Sequence, residues 1–171
     1  MTRFILPAVL FFLLVFEGTV FQVFAPDNRG ADLELVPRFM FILIMLTGII
    51  RGRSYSLFYG IIFGILYDIV YSPVLGIYTF GFGFFAYLFS VSNSYVKRRP
   101  SVTALLVTAA VIGLEYYLYG MMLLLGITAL PHEAIFTSRL LPSFIMNGLL
   151  AALLAVPVRA WFIRMDGADM D

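Results

Sequence analysis

The stretch Tyr59-Gly60-Ile61-Ile62-Phe63-Gly64-Ile65-Leu66-Tyr67-Asp68-Ile69-Val70-Tyr71-Ser72-Pro73-Val74-Leu75-Gly76-Ile77-Tyr78 decides how this chain folds. Up to Tyr71 it is almost wholly apolar; Ser72-Pro73 then interrupts it, and apolar residues resume at once. The residue before a proline disfavours the helical region, so one helix ends here. The new apolar run so close behind predicts a tight antiparallel hairpin of two helices, with a single re-entrant hairpin as the alternative. Gly60, Gly64 and Asp68 follow at four-residue steps and so share one helical face. Small residues in that register admit close approach of another helix, either within the same bundle or from a partner.

Working outward, the rest of the chain has the same character. Of its 171 residues, 62% are hydrophobic and only 12% charged, against about 25% charged in soluble domains. A helix crosses the hydrocarbon with about 20 apolar residues. Such runs recur at about 4–24, 35–50, 54–71, 74–91, 101–125 and 139–163. The expected fold is therefore an all-α membrane protein, a bundle of six transmembrane helices forming a single integral membrane domain over residues 1–171. The loops and tails together fall short of the roughly 50 residues a separate soluble domain needs. The second run is short. Pro37 suits its first helical position, and Arg38 and Arg51 would extend it by snorkelling to the two interfaces.

Orientation follows from the basic residues. A cytoplasmic amino terminus places Arg3, Arg51, Arg53, Lys97, Arg98, Arg99, Arg159 and Arg164 inside and only Arg29, Arg38 and Arg139 outside, which predicts that both termini are cytoplasmic. Lys97-Arg98-Arg99 reads as a topology anchor, and also suits anionic head groups. Arg3 before an apolar run, with Val23-Phe24-Ala25 beyond it, loosely mimics a cleavable signal. The run is too long for a signal core, contains Glu17 and meets Pro26 at the would-be cut, so an uncleaved first span is expected.

Several chemistries are poorly supported. There is no cysteine and one histidine, His132, so sulfur-ligated and histidine-clustered metal sites are not expected. His132 and Glu133 follow Pro131 in an outer loop, without a serine elbow or a His-Glu-x-x-His helix to make them catalytic. Gly81-Phe82-Gly83-Phe84-Phe85-Ala86 formally matches a dinucleotide-binding pattern, but it lies in an apolar span without the strand and turn that pattern requires. No cofactor, nucleic-acid partner or enzymatic activity is expected. Tyr71, Tyr78, Tyr116, Tyr117 and Tyr119 read as interface anchors.

The ionisable residues inside the spans carry the functional question, since each costs roughly 2.5 to 3.5 kcal/mol at a helix centre. Glu17, Asp68 and Glu115 each lie about fourteen or fifteen residues into an ascending span, or roughly 21 Å from its start at 1.5 Å per residue. Arg38 and Arg139 open two descending spans, and Asn147 lies about two turns beyond Arg139. A shared polar layer is expected. It either pairs charges and holds helices together, or forms a ligand pocket or docking site for another membrane helix.

The opening stretch, together with Phe16-Glu17-Gly18-Thr19-Val20-Phe21, Pro37-Arg38-Phe39, Leu114-Glu115, Tyr119-Gly120, Arg139-Leu140-Leu141-Pro142 and Asn147, resembles the rod-shape-determining MreD family over nearly the whole chain. Each motif is short and hydrophobic; their joint occurrence carries the likeness. The resemblance implies a non-enzymatic scaffold of the elongation machinery in the bacterial cytoplasmic membrane. Its implied partners are the bitopic protein MreC, MreB indirectly, a wall-synthesis glycosyltransferase and a class B penicillin-binding transpeptidase. The outer loop from Pro26 to Val36, with Asp27, Asp32 and Glu34, is either a contact with the periplasmic part of a partner or a solvated connection. The acidic tail Asp166 to Asp171 has no assigned role. The competing expectation is transport: a six-helix bundle with a polar layer is also similar to the substrate-binding component of energy-coupling factor vitamin transporters.

Overall fold

The computed structural model describes residues 4–24, 34–92 and 94–168. Among these, the apolar runs form α1 (Ile5–Phe24), α2 (Phe39–Arg51), α3 (Arg53–Tyr71), α4 (Ile77–Phe89), a short α5 (Ser94–Arg98), α6 (Pro100–Leu124), α7 (His132–Ile135) and α8 (Leu141–Ala168). A π-helical turn, Phe136–Leu140, joins α7 to α8. Three helical stretches are long and apolar enough to cross a membrane unaided: Arg53–Tyr71, Pro100–Leu124 and His132–Arg164. The helices α2 and α4 have 13 residues each, a length of about 20 Å.

The fold is organised around α2. Every residue from Met40 to Ile49 is buried, and α1, α3, α4, α6 and α8 all pack against it. A helix that is apolar on all sides has no solvent face, and the centre of a bundle is where it is stable. The surrounding helices turn apolar side chains outward as well. Phe12, Phe58, Leu105, Leu149 and Leu153 are all exposed, an apolar girdle that lipid covers and water does not tolerate. The chain is a membrane protein.

The α3–α4 hairpin forms where the sequence places it, and its own two helices fill the small-residue groove. A Cβ on Gly60 would come within 2.9 Å of the Phe82 carbonyl oxygen, and one on Gly64 within 2.6 Å of Thr79 Cα. Four residues earlier on the same face, Ser56 Oγ donates to the Ala86 carbonyl at 3.3 Å. The antiparallel register thus runs Ser56 to Ala86, Gly60 to Phe82 and Gly64 to Thr79.

Three boundaries differ from the sequence expectation. The second helix starts at Phe39 rather than near 35, so Pro37 precedes the helix instead of opening it, and residues 34–38 are non-helical. The fourth begins at Ile77 rather than 74, because residues 72–76 form the hairpin turn, with Gly76 in the left-handed region at φ 101°. His132 is helical rather than in a loop, since α7 and the π turn carry the last helix back to it. Two side chains also turn inward: Arg38 and Tyr78 are 1% and 8% exposed, so neither reaches out to the surroundings of the bundle.

Candidate functional site

Residues 34, 36 and 38 alternate along a non-helical segment, and each ties its backbone to the start of the last helix. Glu34 N–H donates to the Ser138 carbonyl at 2.8 Å, Val36 N–H to Ser143 Oγ at 3.1 Å, and Arg38 N–H to Asn147 Oδ1 at 2.8 Å. Asn147 Nδ2 returns a bond to the Val36 carbonyl at 2.8 Å. Buried non-helical backbone must place its polar groups somewhere, and here the polar side chains and turn of a neighbouring helix take those of Val36 and Arg38. Arg38 is thereby fixed at the end of the central helix.

Its side chain is almost wholly buried. Nε donates to Glu115 Oε1 of α6 at 2.6 Å, both side chains being 1% exposed, and Nη1 donates to the Tyr67 hydroxyl at 3.1 Å. The Tyr67 and Tyr78 rings lie 5.8 and 5.5 Å from the guanidinium carbon, within cation–π range. Nη2 has no hydrogen-bond partner among the described residues. Arg139, on the π turn, approaches Glu34 at 3.8 Å and Glu115 at 3.9 Å. Those are ion-pair separations, too long for hydrogen bonds.

The other two acids cap helices that they do not belong to. Glu17 of α1 accepts the Met40 N–H at 2.6 Å, in the first turn of α2. Asp68 of α3 accepts from Gly76 N–H, Tyr78 N–H and Thr79 N–H, each at 2.9 Å, and from Thr79 Oγ1 at 2.6 Å. The first turn of a helix leaves N–H groups unpaired and carries the positive end of its dipole. Buried in the bundle, those groups are answered by a carboxylate from a neighbouring helix.

Glu17, Arg38, Tyr67, Tyr71, Tyr78 and Arg139 line a cavity of about 170 Å³. The cavity lies at the amino-terminal end of α2, between α1, α3, α4 and the π turn.

A family model described as rod shape-determining protein MreD matches residues 2–165. This chain belongs to the MreD family. The rod shape-determining protein MreD of Bacillus subtilis (strain 168) is 30% identical over 169 residues, which is 96% of each chain. No solved structure matches. Membership of a shape-determining family gives this MreD family protein a role in rod-shape determination.

The expected polar residues divide into two groups. Arg38, Glu115, Arg139 and Asn147 meet around the end of α2, with Glu17 on the adjoining cavity wall. The bonds to Asp68 lie within the α3–α4 hairpin, and Gly60 and Gly64 extend the same face away from it. No group of three or more His, Cys, Asp or Glu side chains is placed to hold a metal among the described residues. Tyr67, Thr79 and Ser143 belong to the site although their sequence surroundings did not single them out. Ser143 carried one usable signal: it precedes Asn147 by four residues and so shares its face. Of the outer loop, Glu34 is in place at the Arg139 ion pair. The would-be cleavage site at Ala25 and Pro26, with Asp27, Arg29 and Asp32, lies outside the described residues.

Proposed function

We propose that this protein is a non-enzymatic membrane scaffold of the rod-shape machinery, which docks MreC and the wall-synthesis enzymes and so directs peptidoglycan synthesis. The observation that carries the reading is family membership over residues 2–165. The polar chemistry agrees with it: Glu17, Asp68 and Asn147 are engaged in holding helices to one another, and Glu115 in pairing with Arg38. A bundle with so little chain between its helices acts through its lipid-facing surfaces and short connections.

In this reading the chain crosses the bacterial cytoplasmic membrane six times, with α1, α2, α3, α4, α6 and α8 as the spans and both termini in the cytoplasm. The excess of Lys and Arg on the inner side supports that orientation. The short α2 and α4 are each preceded by non-helical backbone, residues 34–38 and 72–76, in which Val36, Arg38 and Gly76 pair their N–H groups within the protein. Non-helical backbone at membrane depth is tolerated under that condition.

The test is purification of the intact chain from its native membrane in mild detergent, with stoichiometric companions identified by mass spectrometry. Recovery of MreC together with the glycosyltransferase and transpeptidase is the expected result. Recovery of a transporter subunit with its ATPases would overturn the scaffold and favour the vitamin-capture reading.

A further inference from the structure

The cavity at the end of α2 is lined by a residue carrying a donor that no described residue satisfies. Arg38 is 1% exposed, and its Nη2 is buried without a hydrogen-bond partner among the described residues, as is Nε of Arg139. Both residues line the same cavity. Burying a charged donor unpaired is among the costlier arrangements available to a protein, and two such donors on residues that line one space point to an acceptor beyond the described residues.

The lining narrows the class of ligand. Two arginines and one glutamate line the space. Glu115, which neutralises Arg38, is not on the wall, and Glu17 accepts the Met40 N–H through Oε1. The forked, always-charged guanidinium matches the oxygens of phosphate or carboxylate. The placement of Arg139 on the π turn Phe136–Leu140 adds a second sign, since such irregular turns within helices recur at functional sites. Size sets the other bound. The cavity of about 170 Å³ far exceeds the roughly 10 to 15 Å³ that one water needs, yet it cannot admit a helix of about 10 Å diameter. One oxyanion of head-group size fits.

We propose that this cavity binds a single oxyanion group, a phosphate borne by a lipid head group or free in solution, held by Arg38 and Arg139 with Tyr67, Tyr71 and Tyr78 around it. The site is independent of the scaffold reading, which neither requires nor forbids it.

The test uses the full chain in two arms. In a neutral maltoside detergent, thermal unfolding is followed as inorganic phosphate is added. In nanodiscs containing phosphatidylglycerol, lipid adducts are counted by native mass spectrometry after release. Both arms are run on wild type, on Arg139→Gln, which removes the more exposed guanidinium, and on Arg38→Lys, which keeps the charge but loses the fork. Saturable stabilisation by phosphate that weakens at least ten-fold in both variants assigns the site to a soluble anion. A single retained phosphatidylglycerol, depleted at least ten-fold in both variants, assigns it to a lipid head group. If phosphate has no effect and lipid adducts are equal across the three proteins, the proposal is overturned, and the cavity holds water or a partner's side chain instead.

Discussion

Asn147 holds Arg38 at the end of the central helix: its Oδ1 accepts the Arg38 N–H and its Nδ2 donates to the Val36 carbonyl, both at 2.8 Å. One side chain on α8 therefore binds two backbone groups of the segment that leads into α2. Asn147→Leu keeps the number and branching of the side-chain heavy atoms, though not the volume, and removes both partners. Each buried backbone group left unpaired costs about 1–3 kcal/mol, so the variant should unfold at lower temperature and lose hydrogen-exchange protection at Arg38. An unchanged midpoint would mean that the segment is held in place by something else.

Arg38 and Glu115 form a buried pair, and removing one member strands the other. Arg38→Ala or Glu115→Ala should each destabilise by about 3–5 kcal/mol, while Arg38→Met combined with Glu115→Leu should recover part of the loss. A double-mutant cycle on detergent-solubilised protein measures the coupling. Additive losses would show that the two side chains do not act as a unit.

Asp68 accepts three backbone N–H groups and one hydroxyl at the start of α4. Asp68→Ala should cost more than an ordinary cap, which is worth about 0.5–2 kcal/mol, because no water replaces the lost acceptors. The loss should appear first as faster exchange in the opening turn of α4. Rod shape in cells carrying this variant, or Glu115→Ala, should be impaired; normal width and normal recovery of partners for both would argue against any role of these acids in assembly.

The glycines separate two roles that look alike in sequence. At Gly64 a Cβ would meet Thr79 Cα at 2.6 Å, a backbone atom that cannot swing aside. Gly64→Ala should cost about 1–3 kcal/mol, as over-packing generally does. At Gly120, inside α6, a Cβ meets nothing within 4 Å. Gly120→Ala should therefore be neutral or stabilising by up to about 1 kcal/mol. The difference in unfolding midpoint between the two variants checks this directly.

Hydropathy and punctuation alone determined the helical segmentation, the membrane character and the hairpin at Ser72-Pro73, because apolar runs and a proline act locally. Composition also marked Glu17, Arg38, Asp68, Glu115, Arg139 and Asn147 as polar groups that a bilayer makes costly. Their division of labour was decided only in three dimensions. Spacing places Asp68 at a level shared with Glu17 and Glu115, yet it is bound by the four donors that the α3–α4 hairpin folds onto it. Arg38 looked like a residue at the surface of a span because it stands next to a proline at a helix end. It is buried because α2, the helix it precedes, is surrounded by five others, and a single sequence does not say which helix will occupy the centre. The cavity likewise exists only where α1, α3, α4 and the π turn converge, since residues as far apart as Glu17 and Arg139 share a wall only after packing brings their helices together.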